Sequence, residues 1–179
     1  MPDSQSASDF RPISILPAIS KLFEKVLANQ LSAHFETIFC NLLYGFRKRH
    51  STQQALLQLL RLWQKSLDEG EIVGTILMDL SMAFDFLPHD LIIAKCAAYG
   101  VDFKSLGLLR NYLSNRYHRV KIGNEFSSWL LLLTGVPQGS ILGLLLFNIF
   151  INDFFLFLQE ASVSNFADDS LSARAKSLL

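Results

Sequence analysis

An α+β fold is what this sequence predicts, on three observations. Segments of helical and strand-like pattern alternate irregularly, unlike the regular alternation of a doubly wound sheet. Half of the 179 residues are apolar and 18% are charged, enough to bury a large core in one domain or in part of a larger one. No internal repeat, low-complexity tract or Gly/Ser linker divides the chain.

The elements follow in order. From Ser20 to about Ile38, Leu22, Phe23, Val26, Leu27, Leu31 and Phe35 recur at helical spacing. Ser51-Thr52-Gln53-Gln54 reads as a capping box. It opens a helix with Leu56, Leu59, Leu60, Trp63 and Leu67 on one side and Gly70 as its stop. The apolar, β-prone run Ile72 to Met78 then ends at Asp79, which predicts a central strand buried on both faces. Two helices are expected over about 89–98 and 103–114, and a hairpin over 118–133 with Gly123-Asn124 at its turn. After a loop from Thr134 to Ser140, a helix is expected over 141–158. A last hairpin, around Ala161 to Ala173, carries Asp168-Asp169 at its tip.

Composition narrows the class. The formal net charge is zero, so bulk charge gives no support to a nucleic-acid partner. Two local clusters are basic, Arg47-Lys48-Arg49-His50 and the stretch from Arg116 through Arg119 to Lys121; alone, each reads as a solvated face. Cys40 and Cys96 lack metal-site spacing and suggest a reducing, intracellular setting. The polar start, MPDSQSASDF, is no signal peptide. Residues 129–158 are very apolar, yet Pro137, Gln138, Asn148, Asn152 and Asp153 interrupt them, so they read as core and not as a membrane span.

Three features can carry chemistry. Asp79 ends a strand, where α/β enzymes place ligand-binding groups, although such an Asp alone is more often a turn former. Asp168-Asp169 are adjacent carboxylates that repel unless a cation or basic side chain is close. Together the three aspartates suit Mg²⁺, a hard cation that takes carboxylate and phosphate oxygens. The loop Gly135-Val136-Pro137-Gln138-Gly139-Ser140 permits close backbone approach to a ligand before a helix N-terminus; it lacks the Lys of a P-loop.

The strings FRPISIL (10–16), GFRKRHST (45–52), MDLSMAFD (78–85), LPHD (87–90), YLSNR (112–116), GVPQGSILG (135–143) and FADD (166–169) resemble, in order, the reverse transcriptases of non-LTR retrotransposons. The resemblance covers roughly residues 9 to 176. It implies the fingers and palm of a right-hand polymerase, fingers-like over about 9–70 and mostly palm over about 71–176, with the thumb and other polyprotein domains missing.

The same resemblance implies RNA-directed DNA synthesis. Asp79, Asp168 and Asp169 would be the catalytic carboxylates holding two Mg²⁺ ions, with Mn²⁺ as a substitute, about 3.5–4 Å apart. Phe84 matches the aromatic gate that crowds a ribose 2′-hydroxyl, and Gln138 and Gly139 the loop against template and nucleotide. Arg11 and Lys21 fall where similar enzymes contact the dNTP triphosphate, and Arg47 to Arg49 would track the phosphates of an RNA template paired to a DNA primer. The chain departs from the family at Leu144, where Pro is usual. A catalytically dead remnant that at most binds nucleic acid is the alternative expectation.

Overall fold

The computed structural model describes residues 13–80, 82–157, 162–167 and 169–177. Helix α1 (Ala18–Phe35) and α2 (Thr52–Asp68) come first, then strand β1 (Glu71–Asp79). Helices α3 (His89–Ala98) and α4 (Phe103–Leu113) follow, then short strands β2 (Arg116–His118), β3 (Lys121–Ile122), β4 (Glu125–Phe126) and β5 (Leu130–Leu132). Helix α5 (Ile141–Ile151) runs into a 3₁₀ turn at Asn152–Phe157, and β6 (Ser162–Phe166) and β7 (Asp169–Ser177) close the order. The architecture is α+β, as expected. One antiparallel sheet has the order β1-β7-β6, and two-stranded ribbons pair β2 with β5 and β3 with β4.

The core is built around α5. Its sequence ILGLLLFNIFI is apolar on every side, and a helix of that kind is stable only when enclosed. Leu142, Leu146 and Ile149 are fully buried against Phe35 of α1, Leu43, Leu87, Ile92 and Cys96 of α3, and Leu109 and Leu113 of α4. Among the described residues no helix is long and apolar enough to cross a membrane.

Local signals placed several ends well. In the capping box, Gln54 N donates to Ser51 Oγ at 3.3 Å, and Ser51 N donates to Gln54 Oε1 at 2.9 Å. Gly70, with φ +76°, follows α2 in the left-handed conformation that a helix stop needs.

Helix α1 packs inward with Glu24, Ala28 and Phe35 buried and Leu27 and Leu31 partly buried against the core, whereas Leu22, Phe23 and Val26 are exposed. Two expectations are corrected. Among the described residues β7 is the one ladder partner of β1, which makes β1 an edge strand and not a central one, and Ile72, Ile76 and Leu77 are exposed. A short apolar run is compatible with either position. Asp169, expected at the tip of the last hairpin, belongs to β7 and pairs with Phe166 of β6.

Candidate active site

Asp79 ends β1 and stands across the β1–β7 ladder from Asp169, which in turn pairs with Phe166 of β6. Register thus brings two of the three predicted carboxylate residues, 90 positions apart in sequence (169 − 79), to one end of one sheet. Asp168 lies outside the described residues, and so does Arg11. By residue type, aspartate offers the hard carboxylate oxygens that Mg²⁺ prefers.

The loop between β6 and β7 needs support. Ala167, which follows β6, has φ +60°, a left-handed conformation that costs an L-residue about 1–2 kcal/mol. The chain around Gly45 supplies that support. Tyr44 N donates to Asn165 O at 2.9 Å, and Asn165 N donates to Leu42 O at 3.1 Å. The Asn165 side chain donates to Ala167 O at 2.9 Å, bracing the turn from within. Gly45 packs on the turn so closely that a Cβ there would overlap Ala167 N and lie 2.8 Å from its Cα. From α5, buried Asn148 donates to Gly45 O at 2.9 Å.

The second candidate element is the loop 134–140. Gly135 has φ +81°, and a Cβ on it would lie 2.5 Å from Asp85 O. That approach lets Val136 N donate to Phe84 O and Gly135 N to Leu87 O, both at 2.8 Å. His89 Nε2 is 2.7 Å from Gly135 O, so that nitrogen carries the proton and donates. Ser14 N donates to Gln138 O at 3.0 Å, which joins the segment after Arg11 to the Gln138-Gly139 loop.

Glu24 ties this loop to the helices. Although fully buried, its carboxylate accepts from Tyr112 Oη at 2.8 Å, Ser140 Oγ at 2.9 Å and Ile141 N at 2.9 Å. A carboxylate at the first turn of α5 also meets the positive end of the helix dipole. Ser140 Oγ in turn accepts from Gly143 N at 2.8 Å, capping α5. Burial pushes the Tyr112 phenol above its ordinary pKa; Ser140 opposes this, and Glu24 reinforces it.

Phe84 is half-buried, with its ring 4.9 Å from Phe147 and 5.9 Å from Phe46. Next to it, burial raises the pKa of the Asp85 carboxyl, and nearby His118 pulls it back. Lys21 is exposed on α1. Arg47 is turned inward: it pairs with Glu36 at 2.8 Å, donates to Cys40 O at 2.8 Å and Leu43 O at 3.0 Å, and lies over the Phe39 ring. It therefore does not track a template, whereas Lys48 and Arg49 are exposed.

Sequence reasoning missed Glu24, Gly45, His89, Asn148 and Asn165. For Glu24 a signal existed: it sits in step with Ala28, Leu31 and Phe35 at 3.6-residue spacing, as a charge on a buried stripe. The others act through partners distant in sequence.

Two aspartate positions paired at one sheet end, and a glycine-rich loop that runs into a helix N-terminus, are features that one class of enzymes, those of phosphoryl or nucleotidyl transfer, uses. Comparison with known proteins narrows it. Residues 2–176 match the family model described as "Reverse transcriptase (RNA-dependent DNA polymerase)", and the chain belongs to that family. It is 34% identical over 151 residues to a Drosophila melanogaster protein, "Probable RNA-directed DNA polymerase from transposon BS", covering 83% of this chain and 17% of that protein. It is 28% identical over 146 residues to the "RNA-directed DNA polymerase from mobile element jockey" of Drosophila funebris, covering 80% of this chain and 16% of that one. The chain thus spans about a sixth of the length of these relatives. In fold it is similar to telomerase from Candida albicans, with a TM-score of 0.54 at 15% identity over 87% of this chain and 30% of the other.

Proposed function

We propose that this chain provides the fingers (about 9–70) and most of the palm (about 71–176) of an RNA-directed DNA polymerase that extends a DNA primer on an RNA template. The observation that carries the reading is the pairing of Asp79 with Asp169 across the β1–β7 ladder.

In this reading Asp79, Asp168 and Asp169 hold two Mg²⁺ ions, which supply charge neutralisation at the attacking 3′-oxygen and the leaving pyrophosphate. The protein's own share is positioning. Phe84, seated on Phe147, crowds the 2′ position of the sugar and so favours dNTPs. Gln138 and Gly139 lie against template and incoming nucleotide, with their loop held by Ser14 and Glu24. Arg11 and Lys21 meet the triphosphate, and Lys48 and Arg49 meet template phosphates.

The test is single-nucleotide extension of an oligo(dT) primer on poly(rA), with Mg²⁺ present or chelated, beside Asp79→Ala and Asp168→Ala/Asp169→Ala. Metal-dependent incorporation that all these substitutions abolish is the expected result. Incorporation that survives them overturns the assignment. Salt-dependent RNA binding by a folded protein without incorporation marks a catalytically dead remnant.

A further inference from the structure

The basic stretch from Arg116 to Lys121 has no role in the reading above, yet the structure organises it closely. The chain from β2 to β5 forms a ribbon whose outer part pairs Lys121 with Phe126 and Ile122 with Glu125 around the Gly123-Asn124 turn. Val120 N donates to Ser127 Oγ, and Ser127 N to Val120 O, both at 2.9 Å, which joins the ribbon's outer and inner parts.

On this ribbon the cations sit on rings. The Arg119 guanidinium lies 4.0 Å from the Phe126 ring centroid and 4.7 Å from that of Trp129. Lys121 Nζ is 5.4 Å from the Phe126 centroid, and Arg116 is 4.9 Å from that of Tyr112. Phe126 and Trp129 are nonetheless 49% and 60% exposed. Among the described residues none of these three cations pairs with a carboxylate, whereas Arg47, Lys65, Lys95 and Arg110 all do. A cation held over a ring by its quadrupole still has N–H donors for an anion and has already lost rotamer freedom. Unpaired cations interleaved with exposed aromatic rings match the two needs of single-stranded nucleic acid: phosphate neutralisation and base stacking.

The base of the ribbon adjoins the candidate site. Strand β5 leads directly into Thr134, whose hydroxyl donates to Asp85 O at 3.0 Å. His118 of β2 lies close enough to Asp85 to affect its ionisation. We infer that the ribbon is a docking platform for single-stranded template RNA, with Arg116, Arg119 and Lys121 on phosphates and Trp129 and Phe126 offering faces to unpaired bases. This rests on the proposed use of an RNA template and adds where an unpaired stretch of that template lies.

The test uses the full chain with Trp63→Phe, which leaves Trp129 as the sole tryptophan. Short single-stranded RNA should quench Trp129 fluorescence, and blunt duplex RNA should not. In fluorescence anisotropy over a salt series, Arg119→Gln/Lys121→Gln should weaken RNA binding about tenfold. It should also flatten the slope of log affinity against log salt by roughly 1.4, two contacts at about 0.7 each. Trp129→Leu should weaken binding while leaving that slope alone, a split that misfolding would not give. Unchanged affinity and slope in the double variant, or no quenching while the protein binds RNA, overturns the inference. Asp79→Ala in the same assays separates the two readings, since it should lose primer extension and keep RNA affinity.

Discussion

Gly45 lies against the backbone of Ala167 with no room for a Cβ between them, although the two residues belong to segments 122 positions apart (167 − 45). The turn that precedes Asp169 is therefore shaped by a loop from the other end of the chain. Gly45→Ala should force the segments apart, at about 1–3 kcal/mol in stability. A displacement of the carboxylate turn by even an ångström should lower nucleotide incorporation by roughly a hundredfold. Melting temperature, Mn²⁺ affinity by electron paramagnetic resonance and single-nucleotide extension read the effect together. Unchanged metal affinity would show that the turn holds its shape without Gly45.

Glu24 serves three donors from two other parts of the chain. Glu24→Ala leaves the Tyr112 and Ser140 hydroxyls and Ile141 N without their acceptor, at a cost of about 3 kcal/mol or more. Glu24→Gln keeps one acceptor oxygen and should lose less. Urea midpoints at unchanged slope rank the two, and equal stability of the alanine variant and wild type would contradict the hub.

Two arginines of one basic cluster should behave differently. Arg47 is buried in its ion pair and carbonyl contacts, so Arg47→Ala should cost stability, about 2–4 kcal/mol. Exposed Arg49 should leave stability within about 0.5 kcal/mol when changed to Ala, and should lower RNA affinity instead. Thermal melts and RNA titrations of both variants check the division.

Burial pushes the Cys96 thiol from 9.0 up to about 11. The unfolded thiol ionises first, so the stability held by the neutral buried form is complete below pH 9.0 and declines as pH rises toward about 11. At pH 8, iodoacetamide should modify half-buried Cys40 well before Cys96, as peptide mapping over time would show. Equal rates would mean that the core around α3 opens readily.

What the sequence determined by itself was local chemistry and order. The capping box at Ser51, the stop at Gly70, the turn at Gly123-Asn124 and the bounds of α3 each depend on residues within a few positions, so they were legible. The apolar 141–151 segment announced a buried helix because no partially exposed helix can be apolar all round. Motif strings in family order named the three aspartates. Only the tertiary structure decided which residues face each other. Apolar spacing found Leu27, Leu31 and Phe35 on the packed side of α1, but it could not register that donors of Tyr112, Ser140 and Ile141 hold the Glu24 carboxylate there. It placed β1 at the sheet's centre because an apolar run reports hydrophobicity and not the number of neighbours. Arg47 read as a phosphate contact until Glu36 and the carbonyls of Cys40 and Leu43 appeared around it. The supports of the carboxylate turn, Gly45, Asn148 and Asn165, join segments separated by a hundred positions or more, or act by leaving space for a partner's backbone. Such a requirement exists only once the chain has folded.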